Sequence, residues 1–442
     1  MTYKTQQIAN NYFIVAMILF GLQVIFGLII GAKYVWNYDP LLSILPFNVT
    51  RAIHINLLVV WLIMGFMGGA YYLVPEEART EIYSPALAHL QLVLFAAVGV
   101  AAVTGYVLRW SWGMPFLEQP TVLKIGIVIV ALIFLFNIFM TMMKTKRWTV
   151  IQGVLLGGLV MLAGMFLFGI PFLKNLSTQY YYWWWVIHLW VEGAWELVAG
   201  AIMAFVLLKL TGVDRKLIEK WLYIEAGLVL FTGIAGTGHH YYWIGTPRYW
   251  LWVGGIFSSL EPIPILLMVF DTLRDVKEKR RQITNRLALY WAVGSAVLHF
   301  FGAGVWGFAH TIPAINQWTH GTQITASHGH FAFYGAYVML NLTVIIFAVP
   351  QIRGIRVLKQ ALGFKAFWTM NFFLVIMALG LAIAGIVQTY FQRVLGMDYL
   401  TTQGYMRLWY TVFWVSGWGF AAGVAMYMVD FFSLQLARKK GG

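Results

Sequence analysis

Ten histidines, at positions 54, 89, 188, 239, 240, 299, 310, 320, 328 and 330, are the residues of this 442-residue chain best able to bind a metal or a prosthetic group. Cysteine is absent, which removes disulfides, iron-sulfur clusters, thiolate zinc, a Cys-ligated copper centre and covalently attached c-type haem. Any metal or haem must then be held by His, carboxylate or Met. In His328-Gly329-His330 two imidazoles lie two residues apart. At about 100° per residue on a helix they point to opposite sides, so one helix can serve two cofactors. The glycine between them lets a flat macrocycle approach the backbone. A histidine on another helix, such as His54, can supply the sixth ligand to one of two haems and leave the other five-coordinate, open to a small molecule. His188 and Glu192 are four apart and share a helix face that Glu196 continues one turn deeper. With the adjacent His239-His240 pair they make three imidazoles and one carboxylate, a set that suits iron better than Cu(I). The bland alternative for Glu192 and Glu196 is a pair of protonated, hydrogen-bonded core carboxylates, yet acids beside imidazoles at membrane depth are costly without a function. Glu261, in Ser258-Ser259-Leu260-Glu261-Pro262-Ile263-Pro264, reads either as a proton-relay acid or as a hydrogen bond at a helix kink.

These residues sit in a chain that is 61% hydrophobic, 17% aromatic and only 10% charged, with a mean hydropathy of +0.74, which excludes a water-soluble globular protein. Runs of about 20 apolar residues, enough to cross a hydrocarbon core of about 30 Å, predict twelve transmembrane helices near 11-33, 53-74, 86-108, 121-143, 149-171, 180-211, 217-242, 249-273, 284-308, 323-349, 366-391 and 405-437. No soluble domain fits between them, so residues 1-442 form a single integral membrane domain. The first run is longer than a signal-peptide core and lacks a small-x-small cleavage site, and is expected to be retained. The N-terminus, the loops after even-numbered spans and the C-terminus hold 22 of the 30 basic residues, and the loops after odd-numbered spans hold 8. The positive-inside rule then puts both termini in the cytoplasm. The net charge of +14 reports topology and attraction to the lipid bilayer, with no nucleic acid implied.

A single intramembrane histidine is more often a hydrogen-bonded helix contact than a ligand. Topology alters that balance here. At about 1.5 Å per residue, His54 lies roughly 2-5 Å into its span from the outer side, and His188, His328 and His330 roughly 8-12 Å into theirs. His239 and His240 occupy the last turn of span 7, at the same level. Six imidazoles from four helices thus share one outer slab, where chance would scatter them. His89, His299, His310 and His320 lack this company and read as structural, with His310 and His320 in an outer loop. The Trp and Tyr clusters read mostly as interfacial belts and the Met residues as packing.

With these motifs the sequence resembles the haem-copper oxidase superfamily, and within it the family of catalytic large subunits of cytochrome c-dependent nitric oxide reductases, along essentially the whole chain. The resemblance implies a subunit I-like all-α polytopic bundle in the bacterial inner (cytoplasmic) membrane. It implies that His54 and His330 are the axial ligands of a low-spin haem b, and His328 the proximal ligand of a high-spin haem b3. It also implies that His188, His239, His240 and Glu192 bind a non-haem iron, FeB, with Glu196 and Glu261 as neighbouring acids. Arg51, one turn before His54, is then a candidate partner for a haem propionate or an interfacial anchor. Main-class oxidases carry H-P-E-V-Y, whereas this chain reads His188-Leu189-Trp190-Val191-Glu192. A hard ligand for iron replaces the tyrosine, which favours coupling two NO over four-electron reduction of O2.

Quinol-dependent relatives carry an N-terminal extension that mimics the cytochrome subunit. This chain begins almost directly with its first span, so the resemblance implies a separate membrane-anchored cytochrome c subunit as electron donor. One stretch departs from the family. Members commonly read G-R-E-F-L-E-Q-P after span 3, the first Glu helping to bind a calcium, and here the stretch is Gly113-Met114-Pro115-Phe116-Leu117-Glu118-Gln119-Pro120. Pro115 has no carboxylate, which counts against calcium and against proton entry at that point, while Glu118 keeps the second acid for either role. The expected reaction is 2 NO with two electrons and two protons to N2O and water, with protons taken from the outer side through Glu118 and the Glu192/Glu196/Glu261 group and no pumping. The competing readings are a terminal oxygen reductase with copper at the second site, and a transporter or haem carrier whose histidines are structural.

Overall fold

Polar breaks that can cap a helix start most of the apolar runs. Ser84, Asn175 and Asn285 each accept a hydrogen bond from a backbone N–H three residues on, and Thr149 forms a reciprocal capping box with Gln152. Each such cap contributes about 1 kcal/mol to its helix. The structure is a computed structural model and describes residues 3–36, 39–112, 114–355 and 360–436, in which no strand forms. Of the residues discussed above, Gly113 and the basic residues Arg356, Lys359, Arg438, Lys439 and Lys440 lie outside the described ones.

The long helical segments in chain order are α1 (Lys4–Val35), α2 (Phe47–Ala78), α3 (Pro85–Val107), α4 (Thr121–Met142), α5 (Val150–Phe168), α6 (Leu176–Thr211), α7 (Arg215–Gly236), α8 (Arg248–Glu278), α9 (Arg286–Thr311), α10 (Gln323–Arg353), α11 (Ala361–Val394) and α12 (Tyr399–Leu436). Among the described residues eleven of these are long and apolar enough to cross a membrane. The remaining one, α7, is the expected seventh span. Glu219, Lys220 and Glu225 interrupt its apolar stretch, so composition alone does not qualify it.

Charge pairs gather the even-numbered loops at one end of the bundle. Glu81 accepts from the backbone N–H of Lys4 and of Thr5, each at 2.9 Å. Arg215 grips Glu77 through two bonds of 2.8 Å, Thr149 donates to Glu77 at 2.7 Å, and Lys209 pairs with Glu76 at 2.7 Å. Asp214 meets Lys279 at 2.8 Å, which brings the start of α7 beside the end of α8. The odd-numbered loops meet at the other end, where Arg109 donates to the Ser43 carbonyl and Trp183 to that of Pro115, both at 3.0 Å.

Burial grades across the bundle and is greatest on three helices that carry candidate histidines. The most apolar window of α2, α6 and α10 is 83%, 83% and 89% buried, against 22% for α3. Those three central helices carry His54, His188 and the His328/His330 pair. Helices α6, α9, α10 and α11 also widen locally to π-helix, at Leu189–Trp195, Phe300–Trp306, Tyr334–Val338 and Thr389–Val394. Such bulges release backbone carbonyls from the regular ladder and occur often at functional sites.

Candidate metal centre

His188 ends the regular first turns of α6, and the π-segment that follows carries Glu192. The pair keeps the shared face expected from their spacing, with His188 Nδ1 3.4 Å from Glu192 Oε1. His239 and His240 come from the short 3-10 turn Thr237–His240 after α7. That turn is pressed against α8 backbone to backbone: a Cβ at Gly254 would lie 2.1 Å from the His239 nitrogen, so only glycine lets the two segments meet. The result sets His239 Nε2 at 3.7 Å and His240 Nε2 at 3.6 Å from the same Glu192 oxygen. One ligand atom from each of the four residues falls within 4.8 Å of all the others, and this is the one such grouping among the described residues. Ligands held at about 2.0–2.2 Å around a tetrahedral ion stand about 3.4 Å apart. The observed separations fit that arrangement.

Hydrogen bonding supports the same reading. Both nitrogens of His188 and Nδ1 of His239 are buried without a hydrogen-bond partner, an expensive state for groups that water or a protein donor would otherwise satisfy. Ser258 donates to Glu192 Oε2 at 2.8 Å and fixes the carboxylate, and Trp184 stacks on His240 with ring centroids 4.2 Å apart. The donor set of three imidazoles and a carboxylate suits iron, and its outer partners orient it.

His328 and His330 diverge to opposite sides of α10, as their spacing requires. The ring of His330 faces that of His54 with centroids 6.5 Å apart and planes 30° from parallel, wide enough for one metal ion held at about 2 Å from a nitrogen of each. His328 turns toward α9, where a Cβ at Gly307 would reach within 2.9 Å of its ring. In all three rings Nδ1 meets a backbone carbonyl: Gln23 for His54 at 2.9 Å, Gly302 for His328 at 3.0 Å and Ala326 for His330 at 2.8 Å. A carbonyl only accepts, so Nδ1 carries the proton and Nε2 keeps its lone pair for a metal.

Behind Glu192 lies a group of buried acids. Glu196 Oε1 receives Tyr337 at 2.9 Å and lies 3.1 Å from His299 Nε2. Glu261 sits in the break between the two halves of α8, Arg248–Ser258 and Ile263–Glu278, where Pro262 and Pro264 interrupt the ladder. It is 3% exposed and its Oε1 has no partner. The irregular backbone at membrane depth thus borders a polar interior, as expected. His299, read from the sequence as without company, belongs here. So does Tyr337, which lies in the π-segment Tyr334–Val338 of α10 and donates to Glu196.

Residues 7–422 match the family described as cytochrome c and quinol oxidase polypeptide I. The chain belongs to that family. It is also 47% identical, over 98% of its own length and 95% of the other, to a nitric oxide reductase subunit from Stutzerimonas stutzeri. Within this oxidase polypeptide I fold the remaining histidines find ordinary partners. His310 meets Thr319 at 3.2 Å and Thr325 at 3.0 Å, His320 meets Asn316 at 3.1 Å, and His89 meets the Pro85 carbonyl at 2.7 Å. Glu118 is 5% exposed and accepts from Asn56 at 2.9 Å; burial pushes its carboxyl above the ordinary range despite that bond. Pro115 offers only its carbonyl, taken by Trp183. Arg51 is half-buried, one turn from His54, and forms no ion pair among the described residues.

Proposed function

We propose that the chain is the catalytic large subunit of a cytochrome c-dependent nitric oxide reductase, reducing two NO to N2O and water. The observation that carries this reading is Glu192, a hard oxygen donor among three imidazoles and held there by Ser258. The 47% identity with a nitric oxide reductase subunit supports it over a terminal oxygen reductase.

On this reading His54 and His330 hold a low-spin haem b, His328 holds a high-spin haem b3, and His188, His239, His240 and Glu192 hold the non-haem iron FeB. These groups, when bound, supply the electrons and the open coordination positions for NO. The chain's own work is positioning and proton handling. The carbonyls of Gln23, Gly302 and Ala326 set the tautomers of the three haem-side histidines. Tyr337 and His299 hold Glu196 beside the metal set, and Glu261 adds a second buried acid from the α8 break. Protons enter from the outer side through Glu118, whose burial favours the protonated form it needs to donate. Arg51 would pair with a haem propionate, and Pro115, which has no carboxylate, counts against a calcium site while Glu118 keeps the second acid.

The chain forms a single integral domain of twelve spans, with α7 crossing as the seventh. Asp214 before α7 is tied to the basic end, while its last turn leads to His239 and His240. The basic end faces the cytoplasm with both termini, in the inner membrane of a bacterium, and a membrane-anchored cytochrome c subunit delivers the electrons.

Replacing Glu192 tests the reading. Glu192→Ala is expected to lose the non-haem iron and NO turnover while both haem spectra persist. Retention of iron and full activity in that variant would overturn the ligand role.

A further inference from the structure

Glu225 lies eleven residues into α7 from Asp214, about 16 Å along the helix from the basic end. Its side chain is fully buried, and neither carboxyl oxygen has a hydrogen-bond partner. No Lys, Arg or His pairs with it among the described residues. The low-cost form of such a group is the neutral acid, because burial penalises an unpaired carboxylate far more than a protonated carboxyl.

Its surroundings are specific. Gly200 follows Glu196 by one turn on the same face of α6, and a Cβ there would touch Glu225 Cγ at 3.2 Å. The carboxyl of Glu225 therefore stands beside the Glu196 face, within electrostatic reach of that acid and of Glu261. On α7, Glu225, Val229, Thr232 and Gly236 recur at the spacing of one helix face, and all are buried. Thr232 reaches Glu261, and a Cβ at Gly236 would lie 3.2 Å from His188 Nε2. One stripe of α7 thus runs from Glu225 to the metal set.

We propose that Glu225 is a further proton-handling residue of this chain, a buried carboxylic acid that holds a proton at the inner edge of the acid group and delivers it to Glu196. The inference rests on the nitric oxide reductase reading. In the step the Glu225 O–H bond breaks, its proton passes to the Glu196 carboxylate, and Glu225 stays a carboxylate until a proton from solvent replaces it. No electron moves. Tyr337 and His299 are the other titratable groups on Glu196, and each contacts the oxygen Oε1, which leaves Oε2 buried and without a partner.

Infrared difference spectroscopy of the purified complex between its oxidised and reduced forms tests this, with NO turnover measured beside it. Glu225→Gln should remove one protonated-carboxyl signal and slow turnover by about tenfold or more, with haem spectra and metal content unchanged. Glu225→Asp should shift that signal and restore much of the rate. An infrared spectrum unchanged in Glu225→Gln would overturn the proposal, and so would loss of the signal with turnover at the parent rate. Should Glu225→Gln fail to assemble, the Asp variant decides alone, since its carboxyl signal must then move. A parent complex with full cofactor content and no NO turnover would instead sink the underlying reading, and the infrared signal would still report whether Glu225 holds a proton.

Discussion

His239 and His310 are both histidines near the end of the bundle where the odd-numbered loops meet, and their ring nitrogens have opposite fates. His310 stands between two hydroxyls, with Thr319 at Nδ1 and Thr325 at Nε2. His239 has no hydrogen-bond partner at Nδ1, and its Nε2 looks at Glu192 together with His240. The first is a satisfied core histidine. The second aims Nε2 at the Glu192 oxygen, where an ion would bridge the two. Residue type and depth do not separate the two; the destination of each nitrogen does.

Breaking that contrast gives the largest expected effect. His239→Ala should take non-haem iron from one per chain to almost none, whereas His310→Gln should keep the iron and lower stability by about 1 kcal/mol, the worth of an ordinary buried hydrogen bond. Metal quantification and thermal unfolding of the two purified variants separate the cases. A smaller effect is expected one step out. Ser258→Ala leaves all four ligands in place and frees the Glu192 carboxylate, so metal affinity in a chelator competition should fall by roughly 10-100-fold. Unchanged affinity would show that Ser258 does not orient the site.

The smallest effect lies at the opposite end of the molecule, where charge pairs are open to solvent. Burial alone would raise the Glu81 carboxyl, but the Thr5 hydroxyl and the N–H groups of Thr5 and Lys4 outweigh it and hold the group below its ordinary value. A lowered folded-state value means that the stabilisation is full above the ordinary Glu value, about 4.3, and is lost as pH falls through the lowered one. Amide hydrogen exchange at Lys4 and Thr5 should therefore accelerate on acidification relative to neighbouring helix amides. Glu81→Gln should remove that pH dependence while the metal set keeps its iron.

Much of the site is legible in the sequence because its geometry is local. The four-residue step from His188 to Glu192, the adjacent pair His239-His240 and the two-residue step from His328 to His330 each fix a helix face without tertiary information. The helices themselves follow from apolar runs and capping residues. What stays hidden depends on contacts between helices. Nothing local marks the π-turns at Leu189–Trp195 or Tyr334–Val338, because the extra residue of an i→i+5 turn needs no special residue type. His299 meets Glu196 only through the packing of α9 against α6. Glu225 did leave a signal, an acid within an apolar helix, and the charges that weaken α7 as a span include it.

On the proposed function, His188, Glu192, His239 and His240 hold one non-haem iron in a chain that also carries two haem b groups. Elemental analysis of the purified complex, with haem quantified separately, tests it most directly. One non-haem iron for every two haem b and no stoichiometric copper is the expected result. One copper per two haems, with no iron beyond the haem, would contradict it.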